Sequence, residues 1–317
     1  FMDMRFPKSK VIVKKCESYE LVHETFCNIF KNFNKILSEF INKLVSSEQI
    51  AIKINLCDAR PPETGAITHP KFLDAFLKLL RIFLGFDGKI YVVESDGIVA
   101  HPDLFIKWFG FESILSKWNV SYVNLSRLND IRMVHVRGSK YVRKLPLNEF
   151  WDSIDVFITL PKLKTNILTT ITCCLKNQYG CLPILNKQRL HPIVDEVIAI
   201  INRYIKPDLC VVDGIISMVG TQAPAYGIPK KLGLVIVGTD PVAVDAFVAS
   251  YLGFDPRKIL HIKRSAELGL GTMAYDVLGD SNLMETKQHN LSEMNRFLRF
   301  IYMIAEKFKQ NRSNFQI

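Results

Sequence analysis

The sequence predicts an α/β fold: a mainly parallel or mixed sheet flanked by helices, ending in an amphipathic C-terminal helix. Three observations predict it. Short β-branched apolar runs alternate with longer stretches whose apolar residues recur at helical spacing. The runs at 50–56 and 90–94 enclose a loop and a helix, the order of a βαβ unit. Of 317 residues, 48% are hydrophobic and 23% charged. That excludes disorder and collagen-like structure, and it lets a large core form without disulfide or metal staples.

Val11-Ile12-Val13 is a short strand. From 19 to 45, Leu21, Phe26, Phe30, Phe33, Ile36, Phe40, Ile41 and Leu44 keep a helical period, with a break expected near 32–34. Residues 50–56 form a strand and 58–68 a loop marked by Pro61, Pro62 and Gly65. Pro70 suits the first turn of a helix that buries Phe72, Leu73, Phe76, Leu77 and Leu80. The strand at 90–94 runs into Ser95-Asp96-Gly97. Short strands are expected at 122–124, 132–136 and 141–145, a strong one at 155–160, and buried ones at 209–213 and 232–238. Residues 166–179 and 192–204 read as helices, and Asp240-Pro241 opens another to 252, an N-cap followed by proline at the first helical position.

In the tail, Leu291, Met294, Phe297, Leu298, Ile301, Ile304 and Phe308 share one helical face. This helix is expected to dock on the domain or on a second copy, forming a homodimer. Arg296, Arg299, Lys307 and Lys309 raise a membrane-surface alternative that Glu293 and Glu306 weaken. The expected organisation is a strand and helix at 1–47 packed on the core, an α/β domain at 48–280 and a C-terminal helix at 281–317.

Lys and Arg number 41 against 31 Asp and Glu, a net charge of +10. That excess suits an anionic metabolite, nucleic acid or anionic membrane without choosing among them. Aromatic residues lie in helical stripes rather than between basic ones, which makes nucleic acid the weaker reading. No apolar run reaches the roughly 18–20 residues of a membrane span, and the charged stretch 1–10 lacks the apolar core of a signal peptide. A soluble, cytoplasmic protein is expected. Seven cysteines without regular spacing, and no Cys-x-x-Cys pair, argue for a reducing compartment and against a cysteine-bound metal or an iron–sulfur cluster in this chain.

Open α/β sheets bind ligands outside the carboxyl ends of their strands, and four polar segments fall there. Lys53 and Asn55 share one strand face by period two, and Thr68 and His69 then precede a helix start, where an anion or a simple N-cap would be held. Glu94 and Asp96 end a strand, as metal ligands, as an acid/base pair or as turn residues. Lys162, Lys164 and Thr165 leave the 155–160 strand, and Thr165, Thr169, Thr172 and Lys176 would form one polar stripe if 166–179 is helical. From 156 to 192 there is no Asp or Glu, so an electropositive surface is expected. Asp213-Gly214 and Gly238-Thr239-Asp240 close the set, with Asp240 also suited to cap the helix after it.

Several blocks in this order resemble the family named domain of unknown function 362. They are Ile52-Lys53-Ile54-Asn55-Leu56, Pro61-Pro62-Glu63-Thr64-Gly65-Ala66-Ile67-Thr68-His69-Pro70, Pro161-Lys162-Leu163-Lys164-Thr165, Cys174-Leu175-Lys176-Asn177-Gln178-Tyr179-Gly180-Cys181 and Thr239-Asp240-Pro241-Val242-Ala243-Val244-Asp245-Ala246. The resemblance covers roughly 50–271 and implies a shared domain without a settled reaction. This chain departs from the family pattern in three ways. Asn166 stands where members commonly have histidine. The glycine loop at 220–227 is one residue longer and lacks its second glycine, and the ferredoxin-like cysteine cluster of many relatives is absent.

The reading that follows is an enzyme that binds a small phosphate- or carboxylate-bearing molecule in a lysine-rich cleft. Lys53, Asn55, Thr68, Lys162, Lys164, Thr165 and Lys176 would hold the anion at the N-terminal end of the 166–179 helix. His69, Asp213 and Asp240 would be the catalytic groups, and Glu94, Asp96 and Asp213 would hold a divalent cation. The alternatives are a non-catalytic redox or assembly partner of an iron–sulfur protein, which the resemblance suggests, and a nucleic-acid-binding protein.

Overall fold

A computed structural model describes residues 8–220 and 227–280. The β-branched run at 11–13 is the middle of β1 (Ser9–Lys15), and the helical stretch after it is two helices, α1 (Val22–Asn32) and α2 (Ser38–Val45), broken where expected. Next come β2 (Gln49–Ile54), α3 (Pro70–Lys78), β3 (Lys89–Glu94), α4 (Pro102–Trp108), α5 (Phe111–Lys117) and β4 (Val120–Asn124). A small separate hairpin, β5 (Ile131–His135) with β6 (Lys144–Asn148), precedes β7 (Val156–Leu160).

The segment after β7 differs from expectation. Residues 166–179 are not one helix: β8 (Lys162–Asn166) and β9 (Thr170–Thr172) form a hairpin, and only α6 (Cys174–Asn177) is α-helical. The reason lies in the residue types. The Asn166 side chain accepts the backbone N–H groups of Leu168 and Thr169 and the Thr169 hydroxyl, closing a turn that competes with helix. The β-branched run 169–172 is stiff at χ1 and fits a strand better. The polar stripe Thr165, Thr169, Thr172, Lys176 therefore does not exist as a helix face.

The chain continues through α7 (Val194–Tyr204), β10 (Leu209–Val219), β11 (Ile228–Gly238), α8 (Pro241–Tyr251), α9 (Leu260–Glu267) and β12 (Tyr275–Gly279). The strands expected at 209–213 and 232–238 are the paired halves, remote from the turn, of a hairpin of two eleven-residue antiparallel strands. The tail at 281–317 and the loop residues 221–226 lie outside the described residues.

Ten described strands form one mixed sheet in the order β12-β1-β11-β10-β7-β2-β3-β4, with β8 against β10 and β9 against β8. The run β7-β2-β3-β4 is parallel, as the βαβ pattern requires. Apolar side chains pack on both faces. One core gathers α1, α3 and α5 over Ile50, Ile52 and Val92, and the other gathers α7, α8 and α9 over Ala51, Val212 and Ile236. Alternate residues of β2 thus enter opposite cores, which makes the strand a near-continuous apolar run. No helix among the described residues is long and apolar enough to cross a membrane.

Candidate functional site

The chain leaves β2 toward β3 on one side, while β7 pairs on the other, so the carboxyl ends of β2 and β7 part at a topological switch point. Crevices form there in open α/β sheets. A cleft of 520 Å³ opens at these ends, with a lining that includes Lys53 and Asn55 from the end of β2, Glu94 and Asp96 from the end of β3, Lys164 and Thr172 from the β8–β9 hairpin, Lys176 and Asn177 from α6, and Lys187.

Lys53 and Asn55 do share a face, and both are buried. Lys53 Nζ meets Glu94 Oε2 at 2.7 Å and donates to the Ile54 carbonyl. The other Glu94 contacts fix that carboxylate: Oε2 accepts the Leu56 N–H and Oε1 the Ser95 N–H. Asn55 donates to the Asn177 side-chain oxygen, and Asn177 Nδ2 donates to the Lys53 carbonyl and to the Thr159 hydroxyl, so α6 is tied to the ends of β2 and β7.

Among the described residues, no carboxylate is bound to Lys164, Lys176 or Lys187 in the cleft. Lys164 Nζ donates to Asn55 Oδ1, to the Ala66 carbonyl and to the Cys57 sulfur. Lys187 Nζ donates to the carbonyls of Asp96 and Ile184. Lys176, half-buried, has no hydrogen-bond or ion-pair partner among the described residues. Burial holds both Lys176 and Lys187 down at about 8 from the ordinary lysine value. The cleft's carboxylates are spoken for: Glu94 by Lys53, Asp96 by Arg127 and Asn124, Asp58 by Arg60. Thr172 Oγ1 is buried without a hydrogen-bond partner among the described residues.

Lys162 does not join this cleft. It is fully buried against Asp213, Nζ to Oδ2 at 2.8 Å, and donates to the Tyr19 hydroxyl, which in turn donates to Asp213. Burial lowers the Lys162 ammonium while Asp213 opposes that shift. The same carboxylate accepts the His69 N–H, and the His69 ring stacks on Tyr19 with centroids 3.8 Å apart. His69 is the N-cap of α3: its Nδ1 accepts the Lys71 N–H, and burial holds the imidazole down at about 4, hence neutral at pH 7. Thr68 clamps the loop onto β2, donating its hydroxyl proton to the Leu160 carbonyl and accepting the Asn55 N–H. Thr165 donates to the Gly220 carbonyl. Asp240 caps α8 through the N–H groups of Val242 and Ala243 and accepts from Ser9 and Thr272.

Of the residues singled out in the sequence, Lys53, Asn55, Lys164, Lys176, Glu94 and Asp96 therefore meet in one cleft. Thr68, His69, Lys162, Thr165, Asp213 and Asp240 do not line it. Asp213 does not line the cleft that Glu94 and Asp96 line, and Glu94 Oε2 is ion-paired with Lys53. Among the described residues, the His, Cys, Asp and Glu ligand atoms that gather within 4.8 Å of one another are those of Cys173, Cys174 and Asp245, all buried. Asp245 accepts the N–H groups of Cys174 and Leu175 and so anchors the start of α6 from α8.

Three contributors were not singled out from sequence. Asn177 lies in the Cys174–Cys181 block and Lys187 in the acid-free stretch, but neither signal assigns the residue to the cleft. Tyr19 lies 143 residues from Lys162, and no local pattern foretells that contact.

A thylakoid-associated protein of Synechocystis sp. is 27% identical over 249 residues, covering 74% of this chain and 73% of the relative. The lactate racemase apoprotein of Thermoanaerobacterium thermosaccharolyticum aligns at a TM-score of 0.39 and 11% identity, covering 84% of this chain. The chain spans 58% of that protein's length. The family described as domain of unknown function (DUF362) matches residues 50–250, which hold β2 through most of α8 and every residue named in the cleft. Because that match takes in more than half of the chain, the protein belongs to the DUF362 family.

Proposed function

We propose that the cleft between the ends of β2, β3 and β7 is the substrate site of an enzyme that binds a small organic anion bearing a carboxylate or phosphate. The observation that carries this reading is the charge balance of the lining: Lys164, Lys176 and Lys187 enter it without a bound carboxylate, while its acidic groups are already paired. Three cations brought together out of water repel one another, and an anion relieves that repulsion. Lys176 is the central group, a half-buried ammonium held at about 8 by burial. Such a lysine both attracts an oxyanion and gives up a proton near neutral pH, which is what a general acid or base requires. Lys164 would fix the head group, with its own position set by Asn55 and Ala66. Thr172 would supply a further hydroxyl.

Charge-assisted hydrogen bonds contribute about 1.5–3 kcal/mol each, so two or three suffice for a millimolar-to-micromolar site. The test is calorimetric titration of acetate, pyruvate, inorganic phosphate and phenyl phosphate into the protein and into Lys176→Met and Lys164→Met. At least one anion binds the wild type, and Lys176→Met weakens it by about tenfold or more. Absence of binding by all four probes, or equal binding by both variants, overturns the reading.

A further inference from the structure

The walls of the same cleft change character from floor to rim. Its buried lining is mostly polar, with Lys53 paired to Glu94, then Asn55, Lys164, Thr172 and Asn177, and with Ala100 and Tyr179 as the apolar exceptions. Its exposed lining is Cys57, Ile98, Val99, Leu185 and Gln188, of which only Gln188 carries a polar amide. Val99 is 75% exposed, Leu185 55% and Ile98 44%. Half-buried Ile167 and Leu168, at the turn of the β8–β9 hairpin, extend this apolar rim. Single exposed apolar side chains are ordinary on a protein surface. Here three separate segments, the loop after β3, the β8–β9 turn and the stretch after α6, bring theirs to one opening above a cationic floor. A contiguous apolar rim of that kind marks a binding groove.

We infer that the ligand of this cleft is an amphipathic anion, with its oxyanion head on Lys164 and Lys176 and an alkyl or aryl body against Ile98, Val99, Ile167, Leu168 and Leu185. This rests on the proposed function above and narrows its substrate class. Volume argues the same way. A bare oxyanion displaces a few waters, at about 30 Å³ each, whereas the cleft holds 520 Å³. A sugar phosphate would lay several hydroxyls against Ile98, Val99, Ile167, Leu168 and Leu185, which cannot bond them, at a cost for each group left unpaired. An apolar body instead covers exposed Val99 and Leu185 and gains from leaving water.

The experiment measures affinity against chain length in two series at fixed ionic strength and below micelle-forming concentrations: acetate to octanoate, and methyl phosphate to octyl phosphate. Affinity is expected to rise about two- to fourfold per methylene until the cleft is filled, the lower figure allowing for its open side. The better-binding series identifies the head group. Val99→Asp and Leu185→Asp, both at exposed positions that tolerate a charge in the fold, are expected to cut octanoate or octyl phosphate affinity at least tenfold and to shrink the long-to-short ratio. Lys176→Met is expected to weaken both ends of each series. A flat dependence on chain length, an unchanged ratio in the two aspartate variants, or tighter binding of glucose 6-phosphate than of octyl phosphate would overturn the inference. With short anions still bound through Lys176, each of those results leaves the anion site standing. Failure of both entire series removes the site itself.

Discussion

Gly180 has an ordinary negative-φ backbone, so size rather than conformation makes it a glycine. A Cβ there would come within 2.7 Å of Lys53 Nζ and would also strike the Glu94 carboxylate. The ion pair at the floor of the cleft packs directly on its α-carbon. Gly180→Ala is therefore expected to displace the pair and to cost about 1–3 kcal/mol of stability by overpacking, read from denaturant midpoints. Lys176 supplies a pH test of the anion site. It and Lys187 are held at about 8 by burial, so they are protonated below that value and lose their charge above it. Affinity for a fully ionised anion should be level below pH 7 and fall as pH rises through about 8. In Lys176→Met the remaining fall should be shallower, and an identical profile would deny Lys176 its role. Asp245 titrates in the opposite sense. Burial raises it to about 6 from 3.8, with His261 opposing. Between those values the folded chain holds a proton that the unfolded chain has released, so this group's contribution to stability is full below about pH 4 and is lost as pH rises through 6. Referred to Asp245→Asn, which cannot titrate, wild-type stability should decline by about 2–3 kcal/mol from pH 4 to pH 7. At this scale the sequence was informative where a side chain's position follows from its own strand. Period two put Lys53 and Asn55 on one face, and both are buried on it. The sequence marked Lys187 only as one cation of the acid-free stretch, because its bonds to the Asp96 and Ile184 carbonyls follow from the path of a loop rather than from a pattern.

The β8–β9 hairpin shows why elements were legible in some places and not in others. The spacing of Thr165, Thr169, Thr172 and Lys176 matched a helix, but spacing reports only which residues would share a face if the backbone were helical. The Asn166 side chain decides the matter by closing a local turn, and Thr170 then sits at a φ of 67°. The left-handed region costs an L-residue roughly 1–2 kcal/mol, and β-branching makes it worse. Thr170→Gly should relieve that strain and stabilise the protein by about 0.5–1 kcal/mol, after the greater flexibility of glycine in the unfolded chain is allowed for. Lower thermal stability of the variant would mean that Thr170 gains more from its contacts than the strained backbone costs. Where apolar period and tertiary burial agree, as in α1, α3, β2, β3 and β7, the sequence located the element to within a few residues. The hairpin of β10 and β11 was legible only in its apolar halves remote from the turn, because the half of β11 near the turn carries Lys230 and Lys231 and reads as loop.

Across the whole molecule, one buried network joins four parts of the chain that are far apart in sequence. Tyr19 precedes α1, His69 caps α3, Lys162 opens β8 and Asp213 lies in β10, and each touches at least one of the others. Sequence reasoning placed Lys162, His69 and Asp213 at a ligand site because all three fall at strand or helix ends. It could not foresee that they would meet one another instead, because that depends on how β7 passes into β8 across Pro161, whose carbonyl accepts the Asp213 N–H. The outcome separates two uses of buried lysine in one fold. Lys162 is neutralised by a carboxylate and sealed, whereas Lys164, two residues on and on the same side of its strand by period two, is held by neutral acceptors at the cleft. A sealed pair whose partner is removed leaves an uncompensated charge, which costs about 3–5 kcal/mol. Lys162→Met should therefore destabilise the protein by that amount. Its loss should also appear as weaker protection, and so faster exchange, of amide hydrogens in β8, β10 and the first turn of α3 together, since one group links them. Adding Asp213→Asn should recover part of the stability by removing the stranded charge while still accepting the His69 N–H. Anion affinity measured on the folded fraction should stay within about twofold of wild type in both variants, a limit well inside the energy of one charge-assisted bond. A Lys162→Met protein of undiminished stability, or one that folds fully yet loses anion binding, would show that Lys162 serves the ligand and that the division between sealed network and open cleft is wrong.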